Sequence, residues 1–186
     1  MAQTPTAHDK ATLRPALLAA RREIVAVRDR AVDDLALAGH VLALVRELGL
    51  PEGATVAAYE AMRTEPPTAA TIEALAAHGI RVLVPITLAD NDLDWCEAED
   101  ERRMPVGPDA ISAAALVLTP GLAADHSGTR LGRGGGSYDR ALHRRGAGSR
   151  VLVVLHPGEV SEQPLPRDEH DRPVDGVLTA DGPTWF

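Results

Sequence analysis

The sequence is short of several things, and each shortage excludes a class of protein. It holds one cysteine, Cys96, so no disulfide can form within the chain. That fits a reducing compartment. Aromatic residues make up 3% of the chain, so a core must come from Leu, Val and Ala. No apolar run approaches the roughly 20 residues needed to cross a bilayer. The opening "MAQTPTAHDK" lacks the apolar segment of a secretory signal. Basic residues are not in excess: 19 Lys and Arg face 27 Asp and Glu, a net charge of -8. That argues against a nucleic-acid partner, although it leaves room for a local basic pocket. There is no internal repeat and no low-complexity block. These absences point to a soluble, cytoplasmic protein, and nothing in the pattern calls for more than a monomer.

What is present is enough for one domain. The chain has 186 residues, 45% of them hydrophobic. Leu13, Leu17, Ala20, Ile24 and Val27 recur at helical spacing over residues 10 to 30. Pro15 suits a first turn best, so the regular helix is expected to begin near residues 12 to 15. A second helix is expected over about 33 to 48, closed by "GLP". The pattern then changes to short apolar runs. "ATVAAYE", "IRVLVPI", "ALVLTP" and "RVLVVLH" read as buried strands, and "DGVLTA" as a short fifth. "TAATIEALAAHG" between the first two reads as a helix, which makes a parallel βαβ unit. "DLDWCEAED" reads as an edge strand, "GPDAISAA" as a short helix, and "SYDRALHRR" as the start of another. The expected fold is a single compact α/β domain. Its mostly parallel sheet has helices on both faces and follows an N-terminal helical pair.

The stretch "GTRLGRGGGSYDRAL", residues 128 to 142, lies beyond the carboxyl end of one strand, where ligands of such sheets bind. Its glycines let the backbone come close to a ligand and adopt positive φ. The free amides at a helix start accept phosphate, and Arg130 and Arg133 add charge. It is neither a P-loop nor a dinucleotide fingerprint. On residue pattern alone the loop is either a phosphate cradle or a mobile turn.

Taken with its surroundings, "LVLTPGLAADHSGTRLGRGGGSYDRAL" resembles the signature of the 5-formyltetrahydrofolate cyclo-ligase family, also called 5,10-methenyltetrahydrofolate synthetases. "KATLR", "AAYEAMRTEPPT" and "LPRDEHDRPVDGVLT" resemble the family's other segments in order and spacing, so the resemblance spans nearly the whole chain. It implies a sheet similar to those of ribose-phosphate isomerase and the CoA-transferases. It also implies an ATP-dependent, Mg²⁺-assisted reaction. The formyl oxygen of 5-formyltetrahydrofolate is phosphorylated, N10 attacks, and 5,10-methenyltetrahydrofolate, ADP and phosphate result.

The resemblance gives the candidate residues roles. Lys10 and Arg14 would contact ATP, as would Arg130, Leu131, Gly132, Arg133, Gly134, Gly135, Gly136, Ser137 and Tyr138. Arg133 would make the main γ-phosphate contact, because a guanidinium binds phosphate in a fixed, two-pronged way; Lys10 joins it as a catalytic candidate. Glu65, with Glu60, would meet the folate, alongside Gly134 to Tyr138. Asp139 and Asp171 would hold Mg²⁺. Each has a plainer alternative. Lys10 and Arg14 would be solvated helix charges, and Arg130 a structural ion pair with Asp125. Glu65 and Asp139 would be helix-start charges, Asp171 a turn residue, Tyr138 a packing residue. His170 is read as a solvated loop histidine. The chain also departs from the pattern. Ser137 and Ala124 stand where aromatics are common, and the stretch 97 to 109 lacks a Glu-Pro pair. The departures are expected to fall on the folate side. They keep open a second function, that of a relative binding ATP or folate without turnover.

Overall fold

The structure is a computed structural model that describes residues 7–186. Part of the "MAQTPTAHDK" stretch therefore lies outside the described residues. Helix α1 spans Ala7–Val27 and runs through Pro15 without a break. The expected later start is thus corrected. Pro15 faces solvent, and so does Ala11, whose carbonyl loses its usual i+4 donor and is open to water. Helix α2, Arg30–Glu47, starts earlier than its apolar pattern suggests. The cause is Asp29, whose carboxylate accepts from the amides of Ala31 and Val32 and caps the helix. Gly49, at φ 63, closes it.

Strand β1 (Thr55–Ala57), helix α3 (Ala69–Ala77) and strand β2 (Arg81–Thr87) form the predicted βαβ unit, with β1 and β2 parallel. Strand β3 (Leu93–Glu97) returns antiparallel as the edge. A 3-10 turn, Pro108–Ala113, leads into β4 (Ala114–Pro120). Beyond it come β5 (Ala123–Asp125), β6 (Arg130–Leu131) and helix α4 (Ser137–His143). Strands β7 (Arg150–Val154), β8 (Val160–Ser161), β9 (Gly176–Thr179) and β10 (Gly182–Trp185) complete the chain. The main sheet has the order β10-β9-β7-β4-β1-β2-β3, and its inner pairings are parallel. A second sheet of three short strands, β6-β5-β8, was not expected; its strands are too short to carry a periodic signal.

Strand alternation divides the core in two. Val56, Val82, Val84, Leu116, Leu118, Leu152 and Val154 point to the face covered by Leu37, Val41, Leu44 and Val45 of α2 and Leu75 of α3. Ala57, Leu83, Val117, Val151 and Val153 point to the face covered by Ile111, Ala141 and Leu142. Helices therefore cover both faces, as expected. Helix α1 lies on the small sheet, where Leu13 and Leu17 pack against Ala123, Leu131 and Leu165. The strand order reverses direction between β1 and β4, so the segments that follow their carboxyl ends lead away in opposite directions and leave a crevice. Among the described residues, no helix is long and apolar enough to cross a membrane.

Candidate active site

The first wall of the crevice is α1. Positions 10 and 14 are four apart and share a face. Lys10 is 6% exposed, and its Nζ donates to Asp168 Oδ2 at 2.7 Å and to Asp171 Oδ2. Burial alone would lower the Lys10 pKa, but the two carboxylates outweigh it and hold the ammonium above its usual value. Burial likewise pushes the Asp171 carboxyl up, and the bonds from Lys10 and the Asp168 amide outweigh that and pull it down. The pair is therefore charged on both sides. Arg14 donates from Nε to the Gly132 carbonyl at 3.0 Å.

The second wall is the glycine loop between β6 and α4. Gly134 (φ 107) and Gly136 (φ 69) occupy the left-handed region that favours glycine. A Cβ at Gly134 would sit 3.2 Å from the Arg14 guanidinium, so the loop lies directly against α1. Asp125 anchors the loop base, accepting from the amides of Ser127 (2.9 Å), Thr129 (3.1 Å) and Leu165 (2.7 Å). Those bonds fill its acceptors, which explains a correction: Arg130 pairs with Asp139, not with Asp125. Arg130 Nη2 donates to Asp139 Oδ1 at 2.9 Å and Nη1 to the Pro120 carbonyl at 3.0 Å. Its guanidinium lies 5.8 Å from the centroid of the Tyr138 ring. Tyr138 packs edge-on to Trp95, ring centroids 6.5 Å apart, and burial pushes its phenol pKa up, so it stays neutral.

The third wall is the segment after β1. Glu65 is 4% exposed and does not sit in α3, whose first turn holds no acidic residue. Its Oε2 accepts from the Met62 amide at 2.9 Å, and its Oε1 from Arg133 Nε at 3.3 Å across the crevice. Arg30 holds this segment by donating to the carbonyls of Met62, Arg63 and Glu65. The Tyr59 hydroxyl donates to the Pro66 carbonyl and the Thr68 hydroxyl to the Tyr59 carbonyl. Glu60 is exposed at the rim, paired with Arg103 at 2.9 Å.

These walls enclose a cleft of about 490 Å³, lined by every residue the sequence singled out for nucleotide, folate or metal. Asp139 and Asp171 both border it but have different partners, Arg130 and Lys10. The structure adds Asp168, which sequence reasoning passed over, and brings beside it His170, an exposed loop residue as expected. Ligand atoms of Asp168, His170 and Asp171 lie within 4.8 Å of one another. The signal for Asp168 was its place three residues before Asp171 in "RDEHD". Ala124, by contrast, is fully buried in the small sheet and does not line the cleft, so that departure is a matter of packing rather than of the folate pocket. The 97 to 109 stretch reaches the rim through Arg103, which also donates to the Pro85 carbonyl.

A mostly parallel sheet, with cations, a glycine-rich loop and carboxylates meeting beyond its strand ends, defines an α/β protein with a strongly charged cleft. The sequence profile of the 5-formyltetrahydrofolate cyclo-ligase family matches residues 6–180. A curated 5-formyltetrahydrofolate cyclo-ligase of Mycolicibacterium smegmatis is 36% identical over 190 aligned positions, covering 91% of this chain and 93% of that protein. A solved 5,10-methenyltetrahydrofolate synthetase of Mycoplasma pneumoniae superposes with a TM-score of 0.74 at 20% identity, covering 92% of this chain and 99% of that one. The corresponding Aquifex aeolicus structure gives 0.69 at 23% identity, covering 95% and 92%. The two structures share the fold. The chain belongs to the 5-formyltetrahydrofolate cyclo-ligase family.

Proposed function

We propose that the protein converts 5-formyltetrahydrofolate to 5,10-methenyltetrahydrofolate with consumption of ATP and release of ADP and phosphate. The observation that carries this reading is the meeting of four cations, Lys10, Arg14, Arg130 and Arg133, with Glu65 and a carboxylate cluster in one cleft. Phosphoryl transfer is catalysed mainly by positioning and by neutralising charge, and this cleft supplies both. Lys10 and Arg14 bind phosphate oxygens from the α1 side. The amides of Gly132 to Ser137 approach from the loop side, where glycine leaves the backbone open. Arg133 turns from Glu65 to the transferring phosphoryl group. Glu65 accepts paired hydrogen bonds from the amino-pyrimidine edge of the folate, with Glu60 at the rim.

The carboxylates of Asp168 and Asp171 already hold a cation, the Lys10 ammonium, and their chemistry fits a hard divalent ion. Mg²⁺ held by Asp171 and Asp139 would neutralise phosphate charge. Within the protein, Lys10 would exchange carboxylate for phosphate, and Arg130 would keep Asp139 oriented. The reading is of a monomeric, cytoplasmic enzyme with two small-molecule substrates.

The test is formation of the methenyl product from 5-formyltetrahydrofolate and Mg-ATP, followed by absorbance, with ADP released one for one. Folded protein that makes no product at high concentration sinks the reading. Tight binding of either substrate without product would instead favour a binding protein.

A further inference from the structure

The cleft leaves one buried ion pair unused. Arg21 is 1% exposed, on α1. Its Nε donates to Glu159 Oε1 at 2.6 Å, and its Nη2 donates to Glu159 Oε2 at 2.7 Å and to the Gly121 carbonyl at 2.6 Å. Glu159 is buried as well, and its Oε2 also accepts from the His156 amide at 2.8 Å. Gly121 follows β4 and lines the cleft. Its position is fixed from behind, since a Cβ there would lie 2.6 Å from Val153 Cγ2. The carbonyl just before it, Pro120, accepts from Arg130. The corner after β4 is thus held by one arginine from α1 and one from β6.

The spacing of α1 shows what this pair can do. Lys10, Arg14, Leu17 and Arg21 follow at intervals of four, three and four, which is one stripe of a helix. Leu13 and Leu17, both half-buried, supply the apolar part of that stripe. Apolar contact is non-directional, and two leucines on a small sheet do not set the rotation or the height of a helix. A forked guanidinium–carboxylate pair does, because both of its hydrogen bonds must be satisfied together. A slip of one residue moves a helix by about 1.5 Å and turns its stripe by about 100°. Such a slip would take Lys10 away from Asp168 and Asp171, and Arg14 away from Gly132.

We infer that Arg21 and Glu159 are a positioning pair that sets the register of α1, and through it aims Lys10 and Arg14 at the phosphates of the nucleotide. The pair touches no substrate. Buried ion pairs add little net stability over apolar residues of similar size, while fixing register is their best-attested use. The inference rests on the ATP-dependent reading above, and adds to it a part of α1 two turns away from the ligand.

The experiment compares the wild-type protein with the double variant Arg21→Met/Glu159→Met and with Arg21→Lys. It measures thermal unfolding, Mg-ATP affinity by calorimetry, KM for both substrates and amide exchange along α1. The double variant leaves no unpaired buried charge, so it is expected to melt within about 5 °C of wild type. Its Mg-ATP affinity is expected to fall at least about 10-fold, and its KM for 5-formyltetrahydrofolate to rise by less than about 3-fold, because the Glu65 wall keeps the supports that Arg30 and Tyr59 give it. Amides of α1 are expected to exchange faster while those of β4 and β7 stay protected. Arg21→Lys keeps the charge but loses the fork, and is expected to move the same quantities less. It decides the matter should the double variant not fold. Wild-type Mg-ATP affinity in either folded variant, or equal weakening for both substrates with protection lost throughout the sheet, overturns the inference. If the wild-type protein itself fails to bind Mg-ATP, the functional reading fails instead, while α1 exchange still reports whether the pair sets the register.

Discussion

The two sides of the cleft are built on different principles. On the side proposed for phosphate, three of the four cations are paired with carboxylates of the site itself: Lys10 with Asp168 and Asp171, Arg130 with Asp139, and Arg133 with Glu65. On the Glu65 side, the polar groups of Arg30, Tyr59 and Thr68 are spent on backbone carbonyls. The first side is exchangeable charge and the second is fixed shape. An arriving polyphosphate gives the cations a new partner, and an arriving cation does the same for the carboxylates, so neither is left buried and unpaired. A pterin ring bound as proposed would meet a segment whose backbone is already closed on itself. Substitutions on the first side should therefore act on rate and nucleotide affinity. Those on the second should act on the affinity for folate.

The largest effect is expected from Arg133→Ala. Removing a cation that meets charge developing in the transition state typically costs about 10²-fold or more in kcat. The Arg133 side chain is 41% exposed, but its partner Glu65 is 5% exposed and would keep only the Met62 amide, so stability is expected to fall by about 1–3 kcal/mol. Steady-state kinetics together with calorimetric melting checks both halves. A large drop in melting temperature with kcat preserved would place Arg133 among the structural supports and erase the contrast between the walls.

Much of the fold and of the cleft was legible in the sequence, and the parts that were not have physical reasons. Buried parallel strands such as "RVLVVLH" announce themselves because both faces are covered and the run is continuously apolar. Strands of two or three residues, such as β6 and β8, carry no period at all. Helix α1 was misjudged at its start because proline was read as a boundary, whereas Pro15 points to solvent. The glycine loop was visible because its glycines are needed by the backbone at Gly134 and Gly136. Partners across the chain were not visible. Nothing local tells Arg130 to choose Asp139 over Asp125; that choice depends on three amides converging on Asp125. Arg21 sat in plain sight on the stripe of Lys10 and Arg14, but its buried partner is 138 residues away.

A middle-sized effect is expected on the shape side. Arg30→Met removes the donor to the carbonyls of Met62, Arg63 and Glu65 while keeping the length of the side chain. Hydrogen bonds from a charged donor contribute about 1.5–3 kcal/mol, though part of this set is solvent-exposed, so a rise of about 10-fold in KM for 5-formyltetrahydrofolate is expected. The KM for ATP should stay near its wild-type value. If both KM values rise together, the two walls are not independent and the contrast between them fails.

The smallest effect tests the same wall through pH. His156 is buried behind the Glu65 segment, and its Nε2 donates to the Thr64 carbonyl at 3.1 Å. Burial lowers its pKa below the usual 6.5, against the opposing pull of the Thr64 bond and of Glu159, and with Arg21 adding to the fall. Below pH 6.5 the unfolded chain binds a proton here that the folded chain refuses. The contribution of His156 to stability is therefore complete above that pH and is lost as pH falls toward the lower folded value. His156→Gln keeps a donor for Thr64 and removes the titration. Denaturant midpoints between pH 7 and pH 5 should fall less steeply in the variant, and above the window the variant should lose no more than about 1 kcal/mol. Because Thr64 adjoins Glu65, the KM for 5-formyltetrahydrofolate should lose pH dependence over the same window while the KM for ATP keeps its own. A profile of stability that is unchanged by the substitution would show that His156 does not support this wall.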